Sequence, residues 1–353
     1  MWRWIGAGLG LVIVLGGGFV VRTLYVAGQF RSIEPHFSGR CQVVSGAVGP
    51  EDLTVHPKTG IVYVSAYDRR AARAGEPIAG GIFAYDPASQ PPRLVNLTPD
   101  ADDSFRPHGI SLWIGEEGLD SVFVINHPAP AAVRPTHTVE VFDLIDGALV
   151  KRASLSDDEY LVMPNDLVAV GQDRFYLTNT HANPPGRTQT IETYLQLSGA
   201  RVVFYDGRRF REALGGRVFP DGINVSADGR RLYLAETTRR QISVFDRDPQ
   251  TDTLEQRRDI PLGTGPDNVE VDADGDLWIG AHPKLLAMGK LAADPAATAP
   301  AQVLRVSPES GEVDEIYLNA GDEWSAASVA AVRDRHLFIG QLYGDGILDC
   351  TMN

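Results

Sequence analysis

The sequence has 353 residues and a formal net charge of −14, with 43% apolar and 22% charged residues. That is enough chain for one large domain or two ordinary ones, and the charge density is too low for a disordered chain. No run of Lys or Arg exists to neutralise phosphates, which excludes nucleic acid as a partner, and two cysteines, Cys41 and Cys350, cannot form a zinc cluster.

The first element in chain order is an uncharged run, Ile5 to Val21, with Trp2, Arg3 and Trp4 before it and Arg22 after it. Its 17 residues sit at the lower limit for a bilayer span. The reading is an uncleaved signal-anchor helix over residues 1–28; a signal peptide cleaved near Ala27-Gly28 is the alternative. Either way residues 29–353 form one exported domain, membrane-anchored on the periplasmic or extracellular side, or cleaved and secreted. In an oxidising compartment Cys41 and Cys350 are expected to pair; two free buried thiols are the other possibility.

From Gly49 onwards one phrase recurs: a polar residue near a Pro, an apolar strand, a turn and a second strand. Copies begin at Gly49, Arg106, Met163, Phe219, Gly265 and Ser325, spaced by 57, 57, 56, 46 and 60 residues. Within a copy, pairs such as Leu53/Val55, Ile223/Val225 and Val269/Val271 alternate with period two, and Ala227-Asp228-Gly229 or Ala273-Asp274-Gly275 marks the turn. Further strand-like runs lie between copies at Gly81–Tyr85, Thr138–Phe142, Arg201–Tyr205, Gln241–Phe245 and Ala301–Val306. Six repeats of about 50 residues with roughly four strands each predict an all-β fold, a six-bladed β-propeller. The cysteines flank the first and last copies, where a disulfide would close the ring.

In a propeller the innermost strand of each blade starts beside the central channel, so equivalent positions face one another. Those positions hold Glu51 and Asp52, His108, Asn165 and Asp166, Asp221, then Asp267 and Asn268, while the sixth copy offers Ser325 and Ala326. Converging carboxylates repel and bind protons more tightly unless a cation sits among them. Oxygen ligands of mixed carboxylate and amide type suit Ca²⁺ rather than zinc or magnesium. A polar, water-filled tunnel is the alternative.

At these residues the chain resembles the paraoxonase/arylesterase family of calcium-dependent lactonases. The resemblance runs from Cys41 to Cys350 through Pro50–Asp52, Pro107–Ser111, Asn126–Pro128, Pro164–Gly171, Phe175–Asn179, Gly222–Ser226, Asp267–Asn268 and Asp276–Pro283. It implies two calcium ions in the tunnel: a catalytic one held by Glu51, Asn165, Asp221, Asp267 and Asn268, and a structural one held by Asp52, Asp166 and the carbonyl of Ile110. It places His108 and His127 as a histidine dyad and His282 on the site wall. Animal members have Asn where this chain has Asp221, so the site carries an extra negative charge. Residues Thr188–Leu197 match a short helix flanking the active site, with Ile191, Tyr194 and Leu195 on one apolar face and Tyr194 in reach of the pocket.

The function this implies is hydrolysis of lactones and aryl esters, with Ca²⁺ polarising the carbonyl and water attacking with help from His108, His127, Glu51 or Asp267 as base. No G-x-S-x-G, HExxH or P-loop motif offers another route. The segment Asp272–Asp276 superficially matches an EF-hand loop but has its glycine misplaced, and reads as a turn. His181 follows a strand end and is a further pocket candidate; His36, His56, His137 and His336 read as structural or solvated. A gluconolactonase-type sugar lactonase and a non-catalytic membrane-anchored binding propeller are the rival readings.

Overall fold

A computed structural model describes residues 2–115, 118–128 and 136–353, with backbone alone up to residue 13. Six antiparallel sheets follow one another along the chain. Blade one is Pro50–Val55, Val62–Ala66, Gly81–Tyr85 and Leu94–Asn96; blade two runs from Pro107–Trp113 to Ala148–Leu155 and blade three from Pro164–Gly171 to Phe210–Arg217. Blade four runs from Pro220–Val225 to Leu254–Pro261, and blade five from Gly265–Val271 to Val313–Asn319 with His36–Phe37 added at its edge. Blade six consists of Ala327–Arg333, His336–Gln341, Asp345–Met352 and the N-terminal strand Gly39–Val48. The predicted six-bladed propeller is the fold, and each run expected between copies is the third strand of its blade.

Alternation along the strands explains how the blades pack. In the second strand of blade one, Val62 and Val64 pack towards blade six, while Tyr63 between them packs towards blade two. Apolar clusters of this kind lie at every one of the six blade junctions, Phe123 and Phe175 between blades two and three being an example. Both faces of each inner sheet are therefore core, which is why these strands read as nearly continuous apolar runs.

The inner strands break this alternation at one place, and it is the same place in all six. Register shifts fall between Pro50 and Asp52, Pro107 and Ile110, Pro164 and Leu167, Pro220 and Ile223, Pro266 and Val269, and Ala327 and Ala330. A bulge re-aims side chains, so two consecutive residues can face the axis where a regular strand would offer one. Close approach of neighbouring blades there requires glycine: a Cβ on Gly109 would lie 2.6 Å from the Asn165 carbonyl oxygen, and one on Gly222 2.4 Å from that of Asp267. Hydroxyls tie the ring together, Thr178 donating to the Asp221 carbonyl at 2.7 Å and Ser328 to that of Glu51 at 2.6 Å. The bulge register also corrects the sixth copy: its axial residue is Ser328, whereas Ser325 lies before the strand and bonds to Ala299.

Because second strands end and third strands begin beside the axial bulges, the connections between them cover that end of the propeller. Three carry helices: α2 (Arg69–Ala74), α3 (Arg187–Leu195) and α4 (Leu285–Ala293), α1 being the N-terminal helix Trp2–Val26. The end of α1 reaches the same face, where the Ala27 carbonyl accepts from Leu285 N at 3.0 Å, the Tyr25 carbonyl from Arg240 at 3.2 Å, and Arg22 donates to Gln196. Most of the expected anchor, residues 5–13, has side chains outside the described set. Among the described residues no helix is long and apolar enough to cross a membrane.

The ring closes through its two termini. Cys41 and Cys350 stand directly opposite in the pair formed by Gly39–Val48 and Asp345–Met352, and they form the disulfide, 309 residues apart in sequence. A cross-link over so long a loop stabilises by about 2–5 kcal/mol. Reduction, or a Cys41→Ser/Cys350→Ser double variant, is expected to lower the melting temperature by about 5–10 °C while leaving ligand affinity at the axis unchanged; calorimetry on both forms checks this, and superimposable melting curves refute it.

Candidate functional site

The bulges place Glu51, Asp52, Asp166, Asp221, Asp267 and Asn268 in the buried interior, where they meet at the axis as the repeat alignment requires. Their hydrogen bonds follow a pattern. Asn268 Nδ2 donates to Glu51 Oε1 at 2.9 Å, Thr237 Oγ1 donates to Asp221 Oδ2 at 2.6 Å, and His282 Nε2 meets Asp267 Oδ2 at 2.7 Å. Each bond leaves an oxygen over. Glu51 Oε2, Asp221 Oδ1, Asn268 Oδ1 and Asn165 Oδ1 are all buried without a hydrogen-bond donor. A buried oxygen without a donor costs roughly 1–3 kcal/mol, and four in one cluster do not arise from packing alone. Burial, with the neighbouring carboxylates, pushes the carboxyls of Asp221 and Asp267 well above their usual range, and Glu51 rises for the same first reason despite Arg69.

Deeper along the same strands, Asp52 and Asp166 lock the blades. Asp52 accepts from Leu53 N at 2.9 Å and, across the junction, from Ile110 N at 2.8 Å; Asp166 accepts from Leu167 N and Ile223 N, both at 2.7 Å. Their carboxyls are likewise raised, by burial first. Glu270, which sequence reading passed over, accepts from Thr54 at 3.2 Å and Asn224 at 3.3 Å, and burial lifts it to about 8.

The histidines lie to one side. His108 Nε2 is 3.4 Å from Glu51 Oε2, and the rings of His108 and His127 meet edge to face with centroids 5.0 Å apart. His137, expected to be structural or solvated, instead joins them: its Nδ1 lies 2.8 Å from His127 Nδ1. Burial holds His108 and His127 well below the usual imidazole range and His137 at about 4. Arg69 also escaped the sequence reading. Its Nη2 lies 3.6 Å from Glu51 Oε2 and 3.4 Å from His108 Nδ1, while Nη1 donates to the Gly49 carbonyl at 3.0 Å. It heads α2, which Asp68 caps by accepting from Arg70 N and Ala71 N and Gly75 terminates in the left-handed region. That Asp-to-Gly bracket was the available signal.

The remaining expected residues separate. His282 is at the site, paired with Asp267, with Nδ1 buried and unpartnered. His181 is buried beneath α3, bonded to Thr193 at 2.8 Å and Thr180 at 3.0 Å. Tyr194 stands on the outward side of α3, exposed with Ile191 and Leu195. Asp272 is a turn residue, accepting from Asp274 N and Asp276 N. Among the described residues no three carboxylate, imidazole or thiol groups cluster tightly enough to form a metal centre by themselves; the axial set includes the amide oxygens of Asn165 and Asn268. A cavity of about 580 Å³ lies away from the axis, on the flank between the outer strands of blades one and two.

The family model for arylesterases matches residues 51–352. Serum paraoxonase/arylesterase 2 of Rattus norvegicus is 31% identical over 327 residues, covering 89% of each chain. Its Homo sapiens counterpart is 30% identical over 358 residues, covering 97% of this chain and 98% of that one. Among solved structures, a gluconolactonase from Xanthomonas campestris superposes with a TM-score of 0.56 at 16% identity, covering 92% of this chain and 99% of that one, a likeness of fold.

Raised carboxyl pKa values fix a sign. Between the ordinary carboxylate range and the raised values the folded protein binds more protons than the unfolded chain, so stability falls as pH rises. In buffer stripped of divalent cations the melting temperature is expected to fall between about pH 5 and about pH 8, the interval over which Glu270 moves from 4.5 to about 8. A flat or rising calorimetric profile over that interval contradicts it.

Proposed function

This chain belongs to the arylesterase family and is an esterase/lactonase, and from that premise we propose that its axial cluster holds calcium to hydrolyse lactones and aryl esters. The observation that carries the calcium is the set of four donorless buried oxygens on Glu51, Asn165, Asp221 and Asn268. They are hard, neutral or anionic ligands from four separate strands, the donor set Ca²⁺ takes. Asp267, which meets His282 through Oδ2 alone, completes the set. A second, structural ion would rest on Asp52, Asp166 and the Ile110 carbonyl. The Asp oxygens there each accept one backbone N–H and keep a further lone pair for a cation.

Bound calcium supplies Lewis-acid polarisation of the ester carbonyl and electrostatic stabilisation of the developing oxyanion. The chain supplies the rest. His127, held neutral by burial with His108 against it, takes the proton of the attacking water and returns it to the departing alkoxide oxygen. Arg69 sets a fixed positive charge against Glu51 and donates to His108 Nδ1, so the neutral His108 ring carries its hydrogen on Nε2, the atom 3.4 Å from Glu51 Oε2, and the open imidazole lone pair falls to His127. His282 orients Asp267 through one oxygen.

The domain is read as exported and anchored at a membrane through the N-terminal segment. Supporting this, α1, whose C-terminal end meets the propeller end that carries α3 and α4, exposes Val14, Leu15, Phe19, Val20 and Tyr25, while α3 exposes Ile191 and Leu195 and α4 exposes Leu286. Apolar side chains grouped on one end of a molecule suit a lipid surface.

Turnover of phenyl acetate and of a medium-chain lactone is expected to vanish with chelator and return with Ca²⁺. Asp267→Ala is expected to lose at least ~100-fold in kcat on both, with reduced calcium content by elemental analysis; undiminished turnover in either condition overturns the metal site. The full chain is expected to co-float with phospholipid vesicles, and Phe19→Ser/Leu195→Ser to co-float less; equal flotation of the two refutes the membrane face.

A further inference from the structure

Helix α2 is too short to hold itself. It has six residues, none of them fully buried, and a helix of that length is unstable in water without outside contacts. Yet it carries Arg69, whose guanidinium stands against Glu51 and His108. Asp68 and Gly75 close its two ends but do not fix where it lies on the propeller. The other two arginines of the helix do. Arg70 Nη2 donates to the Leu291 carbonyl and Arg73 Nη1 to the Ala292 carbonyl, each at 2.9 Å. Both carbonyls belong to the last turn of α4, whose carbonyls have no partner within the helix; that of Lys290 accepts from Asp294 N at 3.0 Å. Positive charge there also meets the negative end of the α4 dipole, and the ring of Tyr343 lies 4.5 Å from the Arg70 guanidinium. Helix α4, by contrast, is packed. Its Leu291 joins Ala299 and Ala326 in an apolar cluster flanked by Met288, Leu342 and Tyr343, and its first N–H, that of Leu285, is accepted by the Ala27 carbonyl.

We propose that Arg70 and Arg73 are positioning residues: by clasping the C-terminal carbonyls of α4 they fix α2 on the propeller and so hold the Arg69 guanidinium against Glu51 and His108. This deepens the reading of the axial cluster as a calcium-dependent ester hydrolase and rests on it. Arg69 has two effects there, and they differ in sign. Its charge stands 3.6 Å from Glu51 Oε2, one of the four donorless oxygens, so it opposes a divalent cation at that oxygen. Its donation to His108 Nδ1 at 3.4 Å fixes the ring that packs against His127, so it serves the proton transfer. Releasing the clasp lets α2 fray and Arg69 withdraw. Calcium is then held more tightly while turnover falls. A substitution that merely loosens the fold weakens calcium binding instead, because ligands from separate blades lose their convergence.

The test uses the full chain. Arg70→Met/Arg73→Met keeps the apolar stems and removes both donors. Competition with a chromophoric chelator is expected to show calcium bound about 3–30-fold more tightly, and kcat on phenyl acetate at saturating calcium is expected to fall roughly 3–30-fold. Arg73→Met alone, a change at an exposed side chain, is expected to move both numbers the same way by less. Arg69→Met is expected to match or exceed the double variant. In the Arg69→Met background the two further substitutions are expected to change neither number, because their effect passes through Arg69. Arg70→Lys/Arg73→Lys can still donate to both carbonyls and is expected to return kcat to within a few-fold of wild type. Wild-type kcat and calcium affinity in Arg70→Met/Arg73→Met overturn the proposal, as does weaker calcium binding in that variant. So does a further loss of kcat when the pair is substituted on top of Arg69→Met. The parent reading fails separately: it falls if the wild-type chain binds no calcium or turns over fully without it, whatever the arginine variants do.

Discussion

The structure depends on a concentration of buried negative charge. Glu51, Asp52, Asp166, Asp221, Asp267 and Glu270 come from four of the six blades and all face one narrow axis. No fold gathers that many carboxyls away from water without an opposing charge, because each ionised group loses its hydration and repels the rest. The protein supplies a partial answer itself: backbone N–H groups at Asp52 and Asp166, a hydroxyl at Asp221, imidazole at Asp267 and the guanidinium of Arg69 beside Glu51. Those partners leave one oxygen open on residue after residue at the mouth of the tunnel and close both oxygens deeper down. The gradient runs from oxygens that each accept a backbone N–H and lock the blades to oxygens with no donor at all.

The bulge is what makes this arrangement compatible with a β-sheet. A regular inner strand would send Glu51 to the axis and Asp52 into a blade junction, burying a carboxylate among the apolar side chains of the clusters on either side. By inserting the bulge at one level of all six blades, the fold turns both members of Glu51/Asp52, Asn165/Asp166 and Asp267/Asn268 towards the axis and resumes alternation at Leu53, Leu167 and Val269. Gly109 and Gly222 belong to the same device, since the bulged strands approach too closely for a side chain. The residues that converge at the axis are therefore the ones whose strands bulge where neighbouring blades approach most closely.

Legibility in the sequence follows from this. The axial residues could be read because the repeat aligns them; six copies of one phrase locate a position more firmly than any single motif, and the pairing of Cys41 with Cys350 follows from where the ring begins and ends. The sixth copy slipped by three residues because its Ser-Ala-Ala-Ser stretch has no proline to mark the bulge, and Ser328 emerged only from the strand register. Arg69, His137 and His181 belong to connections between second and third strands. Those segments differ in length and content from blade to blade, so no periodicity fixes where their side chains reach. Glu270 was hidden for another reason: it follows Val269 on a strand whose outward positions are usually polar, and only the tunnel geometry shows that it faces inward to Thr54 and Asn224.

The division between repeat and connection also divides the chemistry. The axial oxygens come from the repeated inner strands, where the six-fold architecture dictates their convergence. The nitrogen groups come largely from outside that pattern: Arg69 from α2, His127 from a strand end, His137 from the far side of the same connection, His282 from the turn into α4. In this chain they form an edge-to-face row of three imidazoles beside a guanidinium. Burial first, and then Arg69 and the neighbouring imidazoles, holds His108 and His127 below the usual imidazole range, and a neutral imidazole is the form that can accept a proton from water.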